Sequence, residues 1–544
     1  YKINFVSMHL EHTFVVEKHP LISEGTGALT AAETREICEY ARQYHCLFFP
    51  SFEAFGHQHH IFKHPEYADL AESDWKYSFA PTAEGTYDLL GDLFDEMCPA
   101  FTGTEFFNAG SDEVGDLGAG KSKALADRIG KAALYAQHMN RVHDLLKARG
   151  KRMMMWGDML LQHPEAIDLI PRDTIIMDWH YGPAHDYPSI TQFRDKGFEV
   201  FVVPALSSWC RLFPDYDLAL ENMEWLIRRG REQGAIGSMT CNWGDDGNEN
   251  LVASCYYGWL FSGECSWGAQ RELIDRDLFD RAFCRQFFGT DSDGPARATH
   301  LLTEANQALS LDTTANRGLF HDDPFVGRLA VAPPRASQYG KLQRLASEAR
   351  SAIQEVGEPP RNPDVLEAMD YSARRNLFVA AKAETMERVR RSYQEAFDLG
   401  APAGLPPARE GVGLLEGLRS QLAEQRAEFV RHWNAENRPE GIEYILGRFD
   451  AQLASLDGRT SALTQALDRG ELPPPETLGL SDRRIRRALA PVLADLPPCT
   501  EPWAVPQAPM RLPLRLTAGT HRRVRPPVLV EFAGRRVLGE AGPP

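Results

Sequence analysis

Short apolar runs alternate with amphipathic stretches from the start of the chain to about residue 265. Several runs, such as TIIMDW and FEVFVV, are almost continuously apolar, which is typical of strands covered on both faces. The intervening stretches predict helices at 30–44, opening on a Thr-Ala-Ala-Glu capping box, and at 122–149. The predicted strands are residues 3–10, 46–52, 105–109, 152–156, 174–178, 199–203 and 237–241.

Strands separated by helices predict an α/β fold with a parallel sheet and right-handed crossovers. Seven such units fit a TIM-type (β/α)8 barrel over residues 1–268. Because the opening segment YKINFVSMHL already has the pattern of a core strand, we expect the barrel's first strand and helix to be missing. A doubly wound open sheet is the alternative, although no GxGxxG turn follows a strand.

The second half of the chain has a different pattern. Residues 269–495 are helical in character, as in LLEGLRSQLAEQRAEFVRHW, with Pro-rich breaks at 401–407 and 472–475. This predicts a helical domain, and its sequence shows no obvious chemistry. Residues 496–544 are rich in Pro and Arg, and short runs such as VLVEFAG indicate either a small β piece or a tail.

Composition narrows the class of protein. Of 544 residues, 43% are hydrophobic and 25% charged, as in ordinary globular proteins. The chain has no uncharged apolar run of the roughly 18 residues that suggest a membrane span, so we expect no membrane partner. A net charge of −17 argues against nucleic acid. The nine cysteines are scattered without a CxxC pair, which favours buried free thiols over a disulfide framework and slightly favours the cytoplasm. The oligomeric state stays open.

The carboxyl ends of the predicted strands carry most of the chemistry. In a parallel barrel these ends line the active site. Tryptophans stand there among carboxylates, as in MWGDM, DWHYG and CNWGDDGNE, and aromatic rings beside carboxylates suit a sugar, whose apolar face stacks while its hydroxyls bind acids. The alternative is that these rings only plug the barrel mouth. The four tryptophans are Trp156, Trp179, Trp209 and Trp243.

The adjacent carboxylates Asp112 and Glu113 follow the apolar strand EFFNA and precede the Gly-rich turn GDLGAGKS. An ordinary retaining glycosidase places two carboxyl groups about 5 Å apart on opposite sides of the scissile bond. Sequence neighbours reach one side of a sugar more easily, one as the acid and one gripping a substituent. This arrangement suits hydrolysis in which the substrate's own 2-acetamido oxygen is the nucleophile. Without that position in the barrel, the pair would be typical of a solvated loop.

The segment FNAGSDEVGDLGAGKS resembles the His-x-Gly-Gly-Asp-Glu signature of glycoside hydrolase family 20, the β-N-acetylhexosaminidases, in particular its bacterial branch. The similarity continues in PSFEAFGH, MWGDM, DWHYG and TCNWGDDGNE, in the family's order, and covers about residues 1–265. It implies removal of terminal β-linked N-acetylhexosamine from glycans or glycoconjugates, with retention and without a metal or other cofactor. The choice between GlcNAc and GalNAc and the natural aglycone stay open.

The resemblance also implies roles for individual residues. Glu113 would be the general acid/base, with a raised pKa, and Asp112 would hold the acetamido N–H. His57, with Glu11 behind it, would form a relay that supports Glu113. The substrate-binding residues would be Trp156, Trp179, Tyr181, Trp209, Trp243 and Asp245, with Tyr181 donating to the acetamido oxygen and Asp245 accepting from O4 or O6.

Several positions depart from the family pattern. Asn108 stands where the family has His, Ser111 replaces its second Gly, and His12 stands where an acid is expected. The sugar-binding Arg of the family's first strand would precede this sequence. These departures motivate an alternative, a catalytically impaired carbohydrate-binding protein on the same barrel.

Two other enzyme classes compete. A metal-dependent hydrolase is suggested by the histidines near two strand ends, but the spacing of His9 and His12 places them on opposite faces of a strand. An acetamido-sugar hydrolase that acts on O-linked N-acetylglucosamine would use two neighbouring Asp residues, and Glu113 argues against it. The histidines of the metal hypothesis are His9, His12, His57, His59 and His60.

Overall fold

The computed structural model describes residues 2–268, 273–309, 314–331 and 335–480, together with two short strands near the carboxyl terminus. Seven parallel strands pair in chain order and form a curled sheet with helices between them, which confirms the barrel-like α/β fold. The strands are β1 (Phe5–His9), β2 (Leu47–Ser51), β3 (Phe106–Asn108), β4 (Arg152–Trp156), β5 (Ile175–Trp179), β6 (Glu199–Val203) and β7 (Gly237–Ser238).

The strands separate two apolar cores. Side chains alternate between the faces of a strand, so Met154 and Trp156 of β4 point inward while Met153 and Met155 point to the outer helices. The outer core continues without a break into the helical half of the chain. The inner core is topped by partly buried aromatic side chains at the carboxyl ends of the strands, where the site lies.

The sheet leaves a seam between its two edge strands. Among the described residues no ladder joins β7 back to β1. A cleft of about 1300 Å³ lies between these strands and helix α10 (residues 256–267), and Ile3, Val6, Ile236 and Trp267 around it are exposed. Strand β7 is shorter than the predicted 237–241. Among the described residues it pairs with β6 alone, and its register continues in a single bridge from Cys241 to Ala205.

The helices of the barrel half include the predicted capped helix, where Thr30 accepts from the Glu33 amide and Glu33 bonds back to Thr30. The single helix predicted over 122–149 is wrong: Gly130, at φ +86°, breaks it into two. The helices are α1 (Pro20–Ser23), α2 (Ala31–Gln43), α3 (His59–Phe62), α4 (Glu84–Ala100), α5 (Lys123–Ile129), α6 (Lys131–Lys147), α7 (Asp158–Gln162), α8 (Pro188–Asp195), α9 (Tyr216–Glu232) and α10 (Tyr256–Trp267).

The second half is helical, as expected. Helix α15 (Ala336–Val356) packs on α12 (Gly294–Ala305) and α16 (Pro363–Leu399). Helix α16 also packs on α17 (Leu405–Glu436), and α17 packs on α18 (Glu443–Asp468). Helix α17 begins inside the predicted break at 401–407, with proline in its first turn, where the missing N–H costs nothing. The helices are α11 (Arg276–Ala282), α12 (Gly294–Ala305), α13 (Ala315–His321), α14 (Arg328–Val331), α15 (Ala336–Val356), α16 (Pro363–Leu399), α17 (Leu405–Glu436) and α18 (Glu443–Asp468).

Other predictions meet the structure only in part. Eight described cysteines are free thiols, most of them buried; Cys499 lies outside the described residues. No described helix has the length and hydropathy needed to cross a membrane. In the predicted segment 496–544, strands β8 (Leu529–Phe532) and β9 (Arg535–Leu538) pair antiparallel, and the remainder lies outside the described residues.

One buried side chain joins the ends of two strands. Asn222 of α9 donates through its amide nitrogen to the carbonyls of His180 (2.8 Å) and Gly182 (3.1 Å), and its oxygen accepts from the Ala205 amide (3.2 Å). Buried polar backbone groups need such partners. Asn222 therefore fixes the segments that follow β5 and β6, both of which reach the site.

We expect Asn222→Leu to lower the free energy of unfolding by about 2–3 kcal/mol, because the fully buried Asn222 side chain makes three backbone hydrogen bonds that would be lost. Urea unfolding followed by circular dichroism measures this. As a control, Asn140→Leu removes one hydrogen bond to the Leu169 carbonyl at a more exposed position and should cost about 1 kcal/mol or less. Equal losses in the two variants would contradict the role given to Asn222.

Candidate active site

The carboxylate pair lies on a strained turn directly after β3. Gly110, Ser111 and Glu113 all have left-handed backbone, with φ of +60°, +74° and +49°. The Asn108 side-chain oxygen accepts from the Gly110 amide (3.2 Å), and the Ser111 hydroxyl donates to the Ala109 carbonyl (2.8 Å). Left-handed backbone is costly for residues other than glycine. Asn108 and Ser111, two of the residues that depart from the pattern described above, thus help to hold the turn that presents Asp112 and Glu113.

A buried acid, Glu53, lies beneath this turn and was missed by the sequence analysis. One carboxyl oxygen accepts from the Ser111 amide (2.6 Å) and the other from the Trp156 indole (3.2 Å). Glu53 is 2% exposed, although in the sequence it looks like an ordinary loop acid after β2. A Cβ on Gly110 would lie 2.1 Å from its carboxyl oxygen, so the turn fits over Glu53 only with glycine there.

Three carboxyl groups in the floor of the site have raised pKa values. Burial, with the nearby Asp112 charge, raises the pKa of Glu53 well above its usual range. Burial raises the pKa of Asp112 to about 6, against the lowering effect of a hydrogen bond with Glu53. Burial and the charge of Asp112 raise the pKa of Asp158, in the first turn of α7, to about 7. Negative charge is therefore costly throughout the floor of the site, and the cluster holds protons near neutral pH.

Glu113 stands above this floor with its side chain 51% exposed. Its amide donates to the Asp158 carboxylate (3.0 Å). His57 Nε2 lies 3.7 Å from the Glu113 carboxylate and 3.6 Å from Asp112 Oδ1. Tyr77 Oη is 3.0 Å from the same nitrogen, and burial lowers the pKa of His57, which keeps it neutral. The structure thus brings Asp112, Glu113 and His57 together, as the sequence predicts.

Glu11, the predicted partner of His57, has closer neighbours. Its carboxylate lies 3.2 Å from His9 Nε2 and 3.4 Å from His12 Nδ1. The pKa of Glu11 is lowered strongly, because hydrogen bonds and positive charge from these two histidines outweigh its burial. Tyr77, rather than Glu11, is the hydrogen-bond partner that the structure shows for His57. The relay through Glu11 stays a prediction, and Tyr77 is a neighbour that the sequence analysis missed.

The predicted aromatic residues surround the space above the inner core. The Trp243 indole donates to the Tyr181 hydroxyl (2.8 Å), and the Tyr181 ring lies 4.8 Å from Trp179 and 5.5 Å from Trp209, centroid to centroid. Trp156 meets Trp243 edge to face at 6.3 Å. These five side chains pack on one inner core and form an aromatic box.

Asp245 follows Trp243 by two residues, on the loop after β7. Burial raises its pKa to about 6, with smaller contributions from Glu113 and Asp246. Asp245 follows β7 and Glu113 follows β3, so both lie on the segments at the carboxyl ends of strands in one parallel sheet. The loop could hold a polar substituent of a ligand seated in the aromatic box.

His57, Asp112 and Glu113 also offer one donor atom each, all within 4.8 Å of one another. The remaining histidines of the metal hypothesis are placed differently: His12 stacks on His60 at 3.5 Å, and His59 contacts Trp75 and Tyr77. The histidine set proposed from the sequence is therefore not gathered around one point, while the acid pair and His57 are.

The barrel half of the chain is similar in sequence to known proteins. Residues 6–208 match the pattern of Glycosyl hydrolase family 20, catalytic domain. Hexosaminidase D of Bos taurus is 26% identical over 208 residues, which cover 36% of this chain and 60% of that protein. The chitooligosaccharidolytic β-N-acetylglucosaminidase of Bombyx mori is 24% identical over 233 residues, or 37% and 39% of the two chains. Among solved structures, a Flavobacterium johnsoniae chitobiase aligns over 87% of this chain and 70% of its own, at 16% identity and a TM-score of 0.43.

Residues 6–208 are thus similar to a glycoside hydrolase family 20 catalytic domain, which supports a glycoside hydrolase in the barrel half of this chain. The matched region spans less than two thirds of the length of these two curated relatives.

The fit of Gly110 over Glu53 can be tested by substitution. Gly110→Ala should lower the free energy of unfolding by about 3 kcal/mol or more, because a left-handed alanine and a clash with the Glu53 carboxyl add together. Gly103→Ala is the matched control: its φ is +79°, yet a Cβ there meets nothing within 4 Å. Gly103→Ala should lower the free energy of unfolding by only about 1–2 kcal/mol, which is the cost of a left-handed backbone at alanine. Thermal unfolding of both variants measures the difference. A similar loss of stability in the two variants would contradict the packing of Gly110 against Glu53.

Proposed function

We propose that this chain hydrolyses terminal β-linked N-acetylhexosamine by a retaining, substrate-assisted mechanism. The observation that carries the proposal is the placement of Asp112 and Glu113 on one turn, beside neutral His57, at the mouth of the aromatic box. Both acids face the same side of a bound sugar, which leaves the opposite face of its C1 to an internal nucleophile. Family 20 enzymes follow this substrate-assisted route.

In the first step the acetamido oxygen attacks C1, the bond from C1 to the leaving oxygen breaks, and Glu113 gives its proton to that oxygen. Asp112 Oδ1 is buried and has no hydrogen-bond partner among the described residues, so it can accept the acetamido N–H. The negative charge of Asp112 then stabilises the positive charge that develops on the ring formed by the acetamido group. The Tyr181 oxygen accepts a hydrogen bond from Trp243. The O–H group of Tyr181 donates to the acetamido oxygen of the bound sugar.

In the second step Glu113, now a carboxylate, takes a proton from a water molecule that attacks C1. The bond between C1 and the acetamido oxygen breaks, and the free sugar leaves with its original configuration. The exposure of Glu113 suits this role, since both the leaving group and the water approach from solvent. The aromatic walls hold the apolar face of the ring, and Asp245 binds a hydroxyl.

We expect Glu113→Gln to lower kcat by about 10²–10⁴-fold on an alkyl β-N-acetylglucosaminide, because that leaving group needs a proton. The loss should be smaller on the 4-nitrophenyl glycoside, whose leaving group is a much weaker base. Steady-state kinetics on both substrates, and on the GalNAc analogues, measure this. Glu105→Gln, an exposed acid at the opposite end of β3, is the control and should behave as the unsubstituted protein. Equal losses on the two leaving groups would contradict the acid role.

The same assay separates the alternatives. Binding of N-acetylglucosamine, followed by tryptophan fluorescence, without turnover would favour the carbohydrate-binding protein. Turnover abolished by a chelator and restored by a divalent cation would favour the metal-dependent hydrolase, for which the three donors of His57, Asp112 and Glu113 give some support. Turnover that resists the chelator and depends on Glu113 supports the proposed mechanism.

The pH profile should have an acidic limb near pH 6. Asp112 must be ionised to hold the acetamido group, and its pKa is raised to about 6. As the pH falls below this value Asp112 gains a proton and loses its charge, so kcat/KM should fall by about tenfold per pH unit. The limb belongs to the cluster of Glu53, Asp112 and Asp158 as a whole. A profile that stays flat from pH 7 to pH 5, with circular dichroism unchanged, would contradict the assignment.

A further inference from the structure

The loop after β7, residues 242–250, carries two residues of the proposed site, Trp243 and Asp245. Its backbone is unfavourable by itself: Asp246, Gly247 and Asn248 have φ of +60°, +105° and +53°. Three consecutive residues in the left-handed region need support from outside the loop. Strand β7 offers little of it, because it consists of two residues and, within the described part of the chain, pairs with β6 alone.

The support comes from the helical half of the chain. Arg317 of α13 donates to the Asp246 carboxylate (2.5 Å), to the Asp246 carbonyl (3.1 Å) and to the Glu249 carboxylate (2.8 Å). The side chains of Arg317 and Glu249 are only 6% and 4% exposed. Buried charges of this kind are stable only when they are paired and hydrogen-bonded. One arginine from a distant helix thus clamps both sides of Gly247.

Glu249 is held by two further helical residues. His321 Nε2 lies 2.8 Å from one of its carboxyl oxygens, and Arg375 of α16 lies 3.3 Å from the same oxygen. Arg375 also donates to the Leu212 carbonyl (2.8 Å), which links the loop after β7 to the segment after β6. The positive charge of these partners lowers the pKa of Glu249 well below its usual range, against its burial, and keeps it ionised.

Helix α18 completes the support. The Tyr444 hydroxyl donates to the Asp246 carboxylate (2.6 Å), and Arg448 bonds to the same oxygen. Gly247 packs against this helix so closely that a Cβ would lie 2.6 Å from both Tyr444 and Ile445. The glycine is therefore explained by the approach of α18 as well as by its positive φ.

The neighbouring aspartates Asp245 and Asp246 lie in different environments. Asp246 faces the helices and is paired there, and its pKa is lowered although the residue is partly buried. Burial raises the pKa of Asp245 to about 6, and the charge of Glu113 contributes to the rise. The helices hold Asp246, while Trp243 in the same loop donates to Tyr181 of the aromatic box, so the loop links the helical half to the barrel mouth.

We propose that the helical half is a working part of the substrate site, with Arg317, Tyr444 and Arg448 as positioning residues that fix Trp243 and Asp245 for sugar binding. The proposal rests on the proposed function and deepens it, since it assigns a role in substrate affinity to a region whose sequence shows no chemistry. These residues act through the loop and do not touch the reacting atoms.

The test uses the two partly exposed anchors of α18, so that the fold is kept. We expect the double variant Tyr444→Phe, Arg448→Gln to raise KM for a β-N-acetylhexosaminide by about tenfold, with kcat changed by less than about threefold. The single variant Arg448→Lys keeps the charge and should recover most of the affinity. Arg426→Gln is the matched control, because Arg426 of α17 bonds Asp450 of α18 rather than a residue of the loop.

Hydrogen exchange of the full-length protein gives a readout that does not depend on activity. Amides of residues 242–250 should exchange about tenfold faster in the double variant, while those of β4 and β6 stay unchanged, and the control should alter neither. Unchanged loop exchange, or faster exchange with an unchanged KM, would overturn the positioning role.

If the unsubstituted protein shows no turnover, the proposed hydrolase function fails. The positioning role is then decided by loop exchange together with sugar affinity from tryptophan fluorescence: weaker binding with faster exchange keeps it. Unchanged binding in the double variant, or no sugar binding at all by the unsubstituted protein, overturns it.

Discussion

A buried carboxyl group beneath a strained turn is the constraint on which the rest of the site depends. Glu53 occupies the space that a side chain on Gly110 would need, and it satisfies both the Ser111 amide and the Trp156 indole. Through these two bonds the end of β2 determines the position of the acid pair after β3 and of the aromatic wall at the end of β4. The site is therefore built from the contacts between neighbouring strand ends rather than from one loop.

The fold was largely predictable because the strands are buried on both faces. Strands β4 and β6 have the predicted bounds, since nearly continuous apolar runs leave little freedom in where a strand begins or ends. The errors in the predicted elements occur where a single residue or the pairing of an edge strand determines where an element ends. Gly130 splits a helix whose periodicity looked continuous, and β7, at the edge of the described sheet, pairs over fewer residues than its apolar pattern predicts.

The site was predictable only for residues whose chemistry is visible in a motif. Asp112, Glu113 and the four tryptophans stand at strand ends, and the structure brings them to one mouth. Glu53 and Asp158 were missed because a single acid after a strand looks like solvated surface, and only burial makes it different. The clamp by Arg317 was missed because its partners, Asp246 and Glu249, are 71 and 68 residues away in sequence. The glycines of WGDDGNE were the available signal, since two glycines that close together indicate backbone that something else must hold.

The buried acids with raised pKa values also have opposite effects on stability and on catalysis, because the two require different protonation states. A carboxyl group whose pKa is higher in the folded chain than in the unfolded chain binds its proton more tightly when folded. Asp112 and Asp158, with pKa values of about 6 and about 7, therefore contribute stability that is fully present below the ordinary range of an aspartate and is lost as the pH rises through those values. Catalysis by the proposed route needs the opposite state, an ionised Asp112. The protein would accordingly be most active at pH values where ionisation of the acid cluster already lowers the free energy of unfolding. A bound sugar that donates its N–H to ionised Asp112 would restore part of that stability.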